Sequence, residues 1–385
     1  MQVPLLDLAA QYHELRRELD EAVARVIASS AFISGVEVQA FEQEFAAYLQ
    51  ARHVIGVANG TDALELALQA LGIGPGDAVL TVPFTFFATL EAIVRAGATP
   101  VFADIHPDDF TIDVGRAAEA FERHRIKAVL PVHLFGYPAD LDRLLPLAER
   151  HGAVVIEDAA QAHGAWCTLA GTRRRAGAIA DVGCFSFYPT KNLGAMGDAG
   201  AVVTNRDDIA ARVRLLANHG DAGKYQHVIA TGRNSRLDAL QAAVLRVKLR
   251  RLDAWNAARR AAAAHYQRLL AELPIRLPRE RAGTEAVYHQ YAIRVADRDG
   301  VRGALAARGI GTALHYPLPI HQQPGCRQLG LAHVGFPVAE QAAAEVLSLP
   351  MFPHLTDAGI AHVAGSLCEA LSQRSDRGDQ MRGRR

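Results

Sequence analysis

The chain has 385 residues, 50% of them hydrophobic, with Lys+Arg and Asp+Glu equal at 41 each. That length supports two or three domains, and the even charge balance excludes a global field for nucleic acid or an anionic membrane. The four cysteines (Cys167, Cys184, Cys326, Cys368) show neither a Cys-x-x-Cys pair nor zinc spacing with His, so reduced thiols in a cytoplasmic protein with no metal site are expected. Residues 1–7 lack the charged and apolar regions of a signal peptide. The longest apolar stretch, residues 78–90, contains Pro83 and is too short to span a bilayer.

Leu15, Leu19, Val23 and Val26 recur at helical spacing and predict a helix over 11–29; residues 38–49 predict a second. A short buried strand over 54–58 ends at Asn59-Gly60-Thr61-Asp62 and turns into a helix over 63–71. Such a strand–turn–helix offers an anion site. Gly60 permits the turn, Thr61 supplies an N–H and a hydroxyl, and the helix N-terminus adds its dipole. Plain capping by Thr61 or Asp62 fits the same residues. Residues 72–77 have the glycines of a dinucleotide loop but follow a helix, so they form a turn.

Strands over 78–82, 100–103, 128–134 and 153–156 alternate with helices ending at Gly97 and spanning 114–124 and 139–151. Nearly continuous apolar strands predict an α/β fold with a mostly parallel sheet covered on both faces. Ligands of such sheets gather at the carboxyl ends of the strands, where Gly60, Thr61, Phe86, His133, Asp158 and Gln161 fall. Asp158 closes Val154-Val155-Ile156-Glu157-Asp158; a carboxylate just past a buried strand either meets a cation or strong donors, or caps the next helix. Residues 182–187 predict another strand, halted by Pro189. Lys191 follows in a short turn, and Gly194, Gly197 and Gly200 let the backbone bend and approach closely. Desolvation of a lysine on a stiff turn disfavours its ammonium and makes a nucleophilic amine.

A strand over 201–204, a helix over 207–218 and a long loop over 219–232 come next. One Ala-rich helix over 237–273 then follows, long enough to bridge domains or lie across a partner. The remainder predicts a smaller α+β unit, with strands over 288–295 and 311–316 and helices over 298–308, 339–346 and 356–371. Pro317, Pro319 and Pro324 make a rigid loop there. The expected organisation is a large domain over 1–250, a small domain over 251–371 and a polar tail over 372–385 that is disordered.

Together the strand-end groups are an anion cradle, an aromatic (Phe86), a lone carboxylate (Asp158) and a turn lysine with a nearby hydroxyl (Lys191, Ser186). Pyridoxal phosphate asks for all four. Its phosphate takes N–H and hydroxyl donors, its ring a flat face and its aldehyde a lysine, while a carboxylate keeps its pyridine nitrogen protonated. The P-loop pattern is absent, and His315 and His321 lack a second ligand pair for a metal.

Four motifs carry a resemblance: Asn59-Gly60-Thr61-Asp62-Ala63-Leu64, Glu157-Asp158-Ala159-Ala160-Gln161-Ala162-His163-Gly164, Phe185-Ser186-Phe187-Tyr188-Pro189-Thr190-Lys191-Asn192-Leu193-Gly194 and Asn234-Ser235-Arg236-Leu237-Asp238. In that order they resemble the DegT/StrS-type sugar aminotransferases, fold-type-I pyridoxal-phosphate enzymes acting on nucleotide-linked keto sugars. The resemblance runs from about Val3 to about Leu371 and implies a seven-stranded sheet between helices, plus the smaller domain. It implies that Lys191 carries the cofactor as a Schiff base, Asp158 pairs with the ring nitrogen, Gln161 holds the phenolic oxygen and Phe86 stacks on the ring. Gly60, Thr61 and Ser186 would hold the phosphate, joined by Asn234 from the other subunit of a homodimer. Tyr188, His219, Tyr225, His315, Tyr316 and His321 become candidates for the sugar and diphosphate, though each also fits a packing or surface role.

Two departures bear on this. Gly197-Asp198-Ala199-Gly200 stands where the family often has Gly-Asp-Gly-Gly, and a positive φ would strain Ala199. Some relatives replace the lysine by His and dehydrate; Lys191 argues for transamination. By resemblance, an amino-acid donor (glutamate) and a keto sugar exchange the amino group through pyridoxamine phosphate, with the freed Lys191 amine moving the proton. Phe185-Ser186-Phe187-Tyr188-Pro189, the motif at 234–238 and His315-Tyr316-Pro317 resemble enzymes that aminate C3 rather than C4. A 3-keto hexose on dTDP or UDP follows, in the biosynthesis of surface polysaccharides or glycosylated natural products. The rival readings are a C4 aminotransferase, a sugar dehydratase and a non-catalytic regulator on the same scaffold; Lys191 and Asp158 count against the last.

Overall fold

The computed structural model describes residues 1–223, 225–330 and 335–382, with side chains described as far as residue 372. Two helices, α1 (Leu8–Ser29) and α2 (Val36–Leu49), precede strand β1 (His53–Val57). Alternation follows: α3 (Gly60–Ala70), β2 (Ala78–Thr81), α4 (Ala88–Arg95), β3 (Thr99–Phe102), α5 (Val114–Arg123), β4 (Ile126–Val129), α6 (Leu141–Arg150) and β5 (Val154–Asp158). The hairpin β6 (Trp166–Leu169) and β7 (Thr172–Arg175) comes before β8 (Val182–Ser186), β9 (Gly200–Thr204) and α7 (Asp207–Ala217). Then come α8 (Ala239–Leu249), α9 (Leu252–Leu270), β10 (Thr284–Glu285), β11 (Tyr291–Arg294) and α10 (Arg298–Ala306). The chain closes with α11 (Pro324–Arg327), α12 (Pro337–Glu345), β12 (Val346–Leu349) and α13 (Asp357–Arg382).

Seven strands form one sheet in the order β1-β9-β8-β5-β4-β2-β3. Neighbours pair in parallel except at β9, which runs antiparallel to both β1 and β8. The central strands are apolar and buried on both faces, as helix-covered sheets require. The helices lay apolar stripes on them; α5, capped by Asp113, buries Val114, Ala117, Ala120 and Phe121 at helical spacing. The reversal of β9 puts its first residue, Gly200, opposite both Val57 and Ser186, at the carboxyl ends of its neighbours. A Cβ at Gly200 would collide with the Asn59 carbonyl group, so this close approach needs glycine. Ala199 has no positive φ, and the strain feared there does not arise.

Four expectations change. The helix predicted over 237–273 is two helices broken at Arg250 and Arg251, both of which reach Glu18 on α1. Helix α8 packs on α1 and α2, whereas α9 packs on α13, so the break falls where the chain exchanges one surface for the other. We propose this break as the boundary between the large and small domains. No strand spans 311–316, where only a bridge from Ala313 to Ser348 forms; the partner of β11 is instead β12, part of which the sequence grouped with a helix. A four-residue strand, Val346-Leu347-Ser348-Leu349, buried at every position shows no alternation to betray it. Hairpin β6–β7 was not anticipated, because Arg173 and Arg175 lie 4.4 and 4.2 Å over the Trp166 ring, a cation–π stack in place of apolar alternation. Finally, α13 continues to Arg382 through most of the segment expected to be disordered, since extending a packed helix costs little. Residues 383–385 of that tail lie outside the described residues.

Glu157, fully buried beside the future site, shows how the β5 end is fixed. It takes the N–H groups of Gly177, Ile179 and Ala180 at 2.7, 2.8 and 2.7 Å, and His133 Nε2 lies 3.0 Å away. His133 Nδ1 accepts the Ala139 N–H at 2.9 Å, which makes Nε2 the donor toward Glu157. Burial alone would raise the Glu157 carboxyl, but His133 and the backbone donors outweigh it and hold it below the usual range. Glu157→Ala is expected to cost about 3–5 kcal/mol at neutral pH, read from denaturant midpoints, because it leaves these donors unpaired. With a depressed folded pKa, the carboxylate's contribution is present above the ordinary carboxylate pKa and fades as pH falls below it. The gap between parent and variant therefore narrows in acid.

Candidate active site

The carboxyl ends of the strands open onto a cavity of about 710 Å³. Helix α3 presents its N-terminus there. Its cap is Asn59, whose side chain takes the Asp62 N–H at 2.8 Å, and not Thr61 or Asp62. The extended backbone of Asn59 suits a cap, and among the described residues the Gly60 and Thr61 N–H groups have no acceptor. A Cβ on Gly60 would lie 2.5 Å from Ser186 Cβ, so the absence of a side chain brings the Ser186 hydroxyl against the helix start. Two free N–H groups and two hydroxyls at a helix N-terminus make a cradle for a dianion.

Asp158 forms the floor. Its Oδ1 accepts the Ala160 N–H at 3.2 Å and its Oδ2 the Thr89 hydroxyl at 3.0 Å; Thr89 meets Thr85 at 3.1 Å. Burial raises its carboxyl above the ordinary range, opposed by those donors and by the Lys191 charge. A cationic ring nitrogen is the partner such a carboxylate lacks. Gln161 Oε1 takes the Phe135 N–H at 2.6 Å, which turns Nε2 outward as a donor, 3.3 Å from the Tyr316 hydroxyl. Phe86, 58% exposed, lines the cavity beside the Tyr316 ring.

Lys191 sits on a turn closed by its own N–H to the Tyr188 carbonyl and by Ala195 N–H to the Phe187 carbonyl, both 2.8 Å. Its side chain lines the cavity, and its amine makes no hydrogen bond or ion pair among the described residues. Burial pushes its amine down to about 8, with Asp158 pulling the other way. Only the neutral amine attacks an aldehyde, so reactivity rises with pH and levels above that value. Reductive methylation of the apo chain, mapped by mass spectrometry, is expected to label Lys191 half-maximally near pH 8. An exposed lysine follows at about 10.4. A Lys191 midpoint equal to that of the exposed lysine Lys127 defeats this expectation.

Of the substrate candidates, Tyr188, His315 and Tyr316 line the cavity. His315 Nδ1 meets Ser348 Oγ at 2.8 Å, and burial drives the ring down to about 4, so it stays neutral. His321 lies outside this cavity, buried against Phe336 with Nε2 3.0 Å from Glu340. His219, Tyr225 and Asn234 belong to the loop closed by the Asn218–Asn234 bridge, and none lines this chain's cavity; Tyr225 is 83% exposed. The sequence reading missed Thr89 and His289, which do line it. Thr89 had a signal, lying one helical turn beyond Thr85. Among the described residues no group of His, Cys, Asp and Glu could hold a metal, and no helix is long and apolar enough to cross a membrane.

The cradle, the unpaired buried carboxylate and the free amine fit the phosphate, ring nitrogen and aldehyde of pyridoxal phosphate. On a mostly parallel seven-stranded sheet, they define a fold-type-I, pyridoxal-phosphate-dependent aminotransferase. The chain belongs to the DegT/DnrJ/EryC1/StrS aminotransferase family, whose sequence profile matches residues 13–368. It is 49% identical over 354 residues to dTDP-3-amino-3,4,6-trideoxy-alpha-D-glucose transaminase of Streptomyces venezuelae, with 92% of each chain covered. It is 48% identical over 368 residues to the erythromycin biosynthesis sensory transduction protein EryC1 of Saccharopolyspora erythraea, covering 95% of this chain and 99% of that one. The crystal structure of S. venezuelae DesV in complex with a ketimine intermediate superposes with a TM-score of 0.92 at 48% identity, covering 96% and 98% of the two chains.

Proposed function

We propose that the chain moves an amino group from an amino acid, L-glutamate, to C3 of a 3-keto hexose carried on dTDP or UDP. It acts in the cytoplasm, as a homodimer, in amino-sugar biosynthesis. The observation that carries the reading is the free, partly neutral Lys191 amine sharing one cavity with the buried Asp158 carboxylate. Likeness to a C3 transaminase supports the regiochemistry. Exposed Phe32, Val36, Tyr188 and Met196 support association with a second copy, whose Asn234 would complete the phosphate site.

Pyridoxal phosphate, when bound, supplies an electron-withdrawing ring that carries the amino group between donor and acceptor. The residues divide the rest. Gly60, Thr61 and Ser186 would grip the phosphate, Asp158 would hold the proton on the ring nitrogen, Gln161 Nε2 would donate to the phenolic oxygen and Phe86 would cover the ring. Lys191 Nζ would take the proton from the donor carbon and deliver it to the cofactor, and would run the transfer in reverse when the keto sugar receives the amino group. Tyr188, His315 and Tyr316, which line the cavity, would meet the sugar.

Purified chain supplied with pyridoxal phosphate and L-glutamate should release 2-oxoglutarate. Adding a dTDP- or UDP-linked 3-keto hexose should then give the 3-amino sugar, located by NMR. A sensory or regulatory role, as in the name of the S. erythraea relative, is the second reading. Cofactor bound without any 2-oxoglutarate would select it.

A further inference from the structure

Arginine dominates the basic residues here: of 41 Lys+Arg, only Lys127, Lys191, Lys224 and Lys248 are lysine. Two of these four meet at one turn. Lys248, near the end of α8, is 5% exposed and lies among the buried Val244, Leu245, Val247 and Leu249. Its Nζ donates to the Gly194 carbonyl at 2.7 Å and has no carboxylate partner among the described residues. Burial pushes this amine down to about 8. A buried amine on one acceptor is costly, and an apolar side chain would pack there more cheaply. The carbonyl it holds lies three residues beyond Lys191.

That bond is one rung of three. Gln241, two turns earlier on α8, accepts the Met196 N–H at 2.8 Å. Asn256 on α9 accepts from Asn192 Nδ2 at 2.9 Å, and Asn192 also donates to the Val287 carbonyl at 2.9 Å. Positions 241, 248 and 256 thus hold 196, 194 and 192, in reverse order, along the segment that leaves Lys191. Of these, only Lys248 fixes a backbone carbonyl of the turn. Without it that buried carbonyl has no donor among the described residues, and the peptide is left anchored by its N–H alone, which Ala195 gives to the Phe187 carbonyl.

We propose that Lys248 is a positioning residue for Lys191: its hydrogen bond to the Gly194 carbonyl fixes the turn so that Lys191 Nζ is presented to the cavity. This rests on the reading of Lys191 as the residue that captures the cofactor. It acts through the backbone and touches no substrate.

The test compares Lys248→Met, Lys248→Arg and Lys191→Ala with the parent. In the apo chain, Lys248→Met is expected to change the reductive methylation rate of Lys191 at least threefold relative to Lys127. In the loaded enzyme it should lower kcat for the glutamate half-reaction at least tenfold, with KM within twofold, and alter the visible band of bound cofactor. Lys248→Arg, which keeps a donor, should recover most of both. Lys191 methylation, band and kcat of Lys248→Met all within twofold of the parent overturn the proposal. So does a loss of kcat that tracks a falling melting temperature and that Lys248→Arg does not restore. Should Lys248→Met not fold, Lys248→Gln carries the same thresholds. Lys191→Ala separates the two readings: if it still traps cofactor covalently under borohydride, the Lys191 assignment fails, whatever Lys248 does.

Discussion

Lys191→Ala is expected to fold, to hold pyridoxal phosphate non-covalently and to lose turnover by at least about 10⁴-fold, the upper range for removing a positioned proton-transfer group. The turn survives because its closing bonds are backbone to backbone, and the side chain leaves no partner behind. Stability supplies a second readout. The amine's folded value of about 8 lies below its ordinary 10.5, so the buried ammonium destabilises the apo chain at neutral pH. Removing it should raise the melting temperature at pH 7. That gain should shrink as pH rises from 8 to 10.5, where the unfolded amine also loses its proton. Turnover above a hundredth of the parental rate would remove Lys191 from its role; a gain in melting temperature that ignores pH would contradict its burial.

Asp158→Asn ranks second. The carboxylate is buried with two donors, Thr89 and Ala160, and faces the cavity. A neutral amide there cannot stabilise a protonated ring nitrogen, and loss of such a preorganised group costs about 10²–10³-fold in kcat. Because burial raises the Asp158 carboxyl, the charged form is held at a penalty, and the apo variant should be no less stable than the parent at neutral pH. Cofactor affinity and kcat are the measurements. An Asn variant within tenfold of the parent on both would send the ring nitrogen elsewhere.

What the sequence showed of the site follows from distance along the chain. The cradle, Asp158 with Gln161, and Ser186 with Lys191 each lie within a few residues at one strand end, so local patterns exposed them. Thr89 on Asp158 and Asn256 on Asn192 join residues far apart in sequence, and nothing in either stretch names the other. The α8–α9 break has no Gly or Pro to mark it, since two arginines held by Glu18 interrupt the helix. His321 follows a proline-rich loop, and nothing in that stretch foretells its contacts with Glu340 and Phe336 away from the cavity. The placement of His219, Tyr225 and Asn234 outside the cavity is what residues serving a second copy would show, which sequence alone does not distinguish from a surface loop.

The reversed strand bears on how the protein is made. Within the sheet, residues 53–57 and 182–186 are joined through 200–204, so the two strand ends that carry the phosphate cradle are bridged there once that late segment is in place. A ribosome delivers the chain from the N-terminus, and pairings this remote in sequence close slowly. Lys191 therefore emerges before its surroundings exist, hydrated and fully protonated. An interrupted chain that stops short of residue 204 thus carries the lysine before burial has lowered its amine.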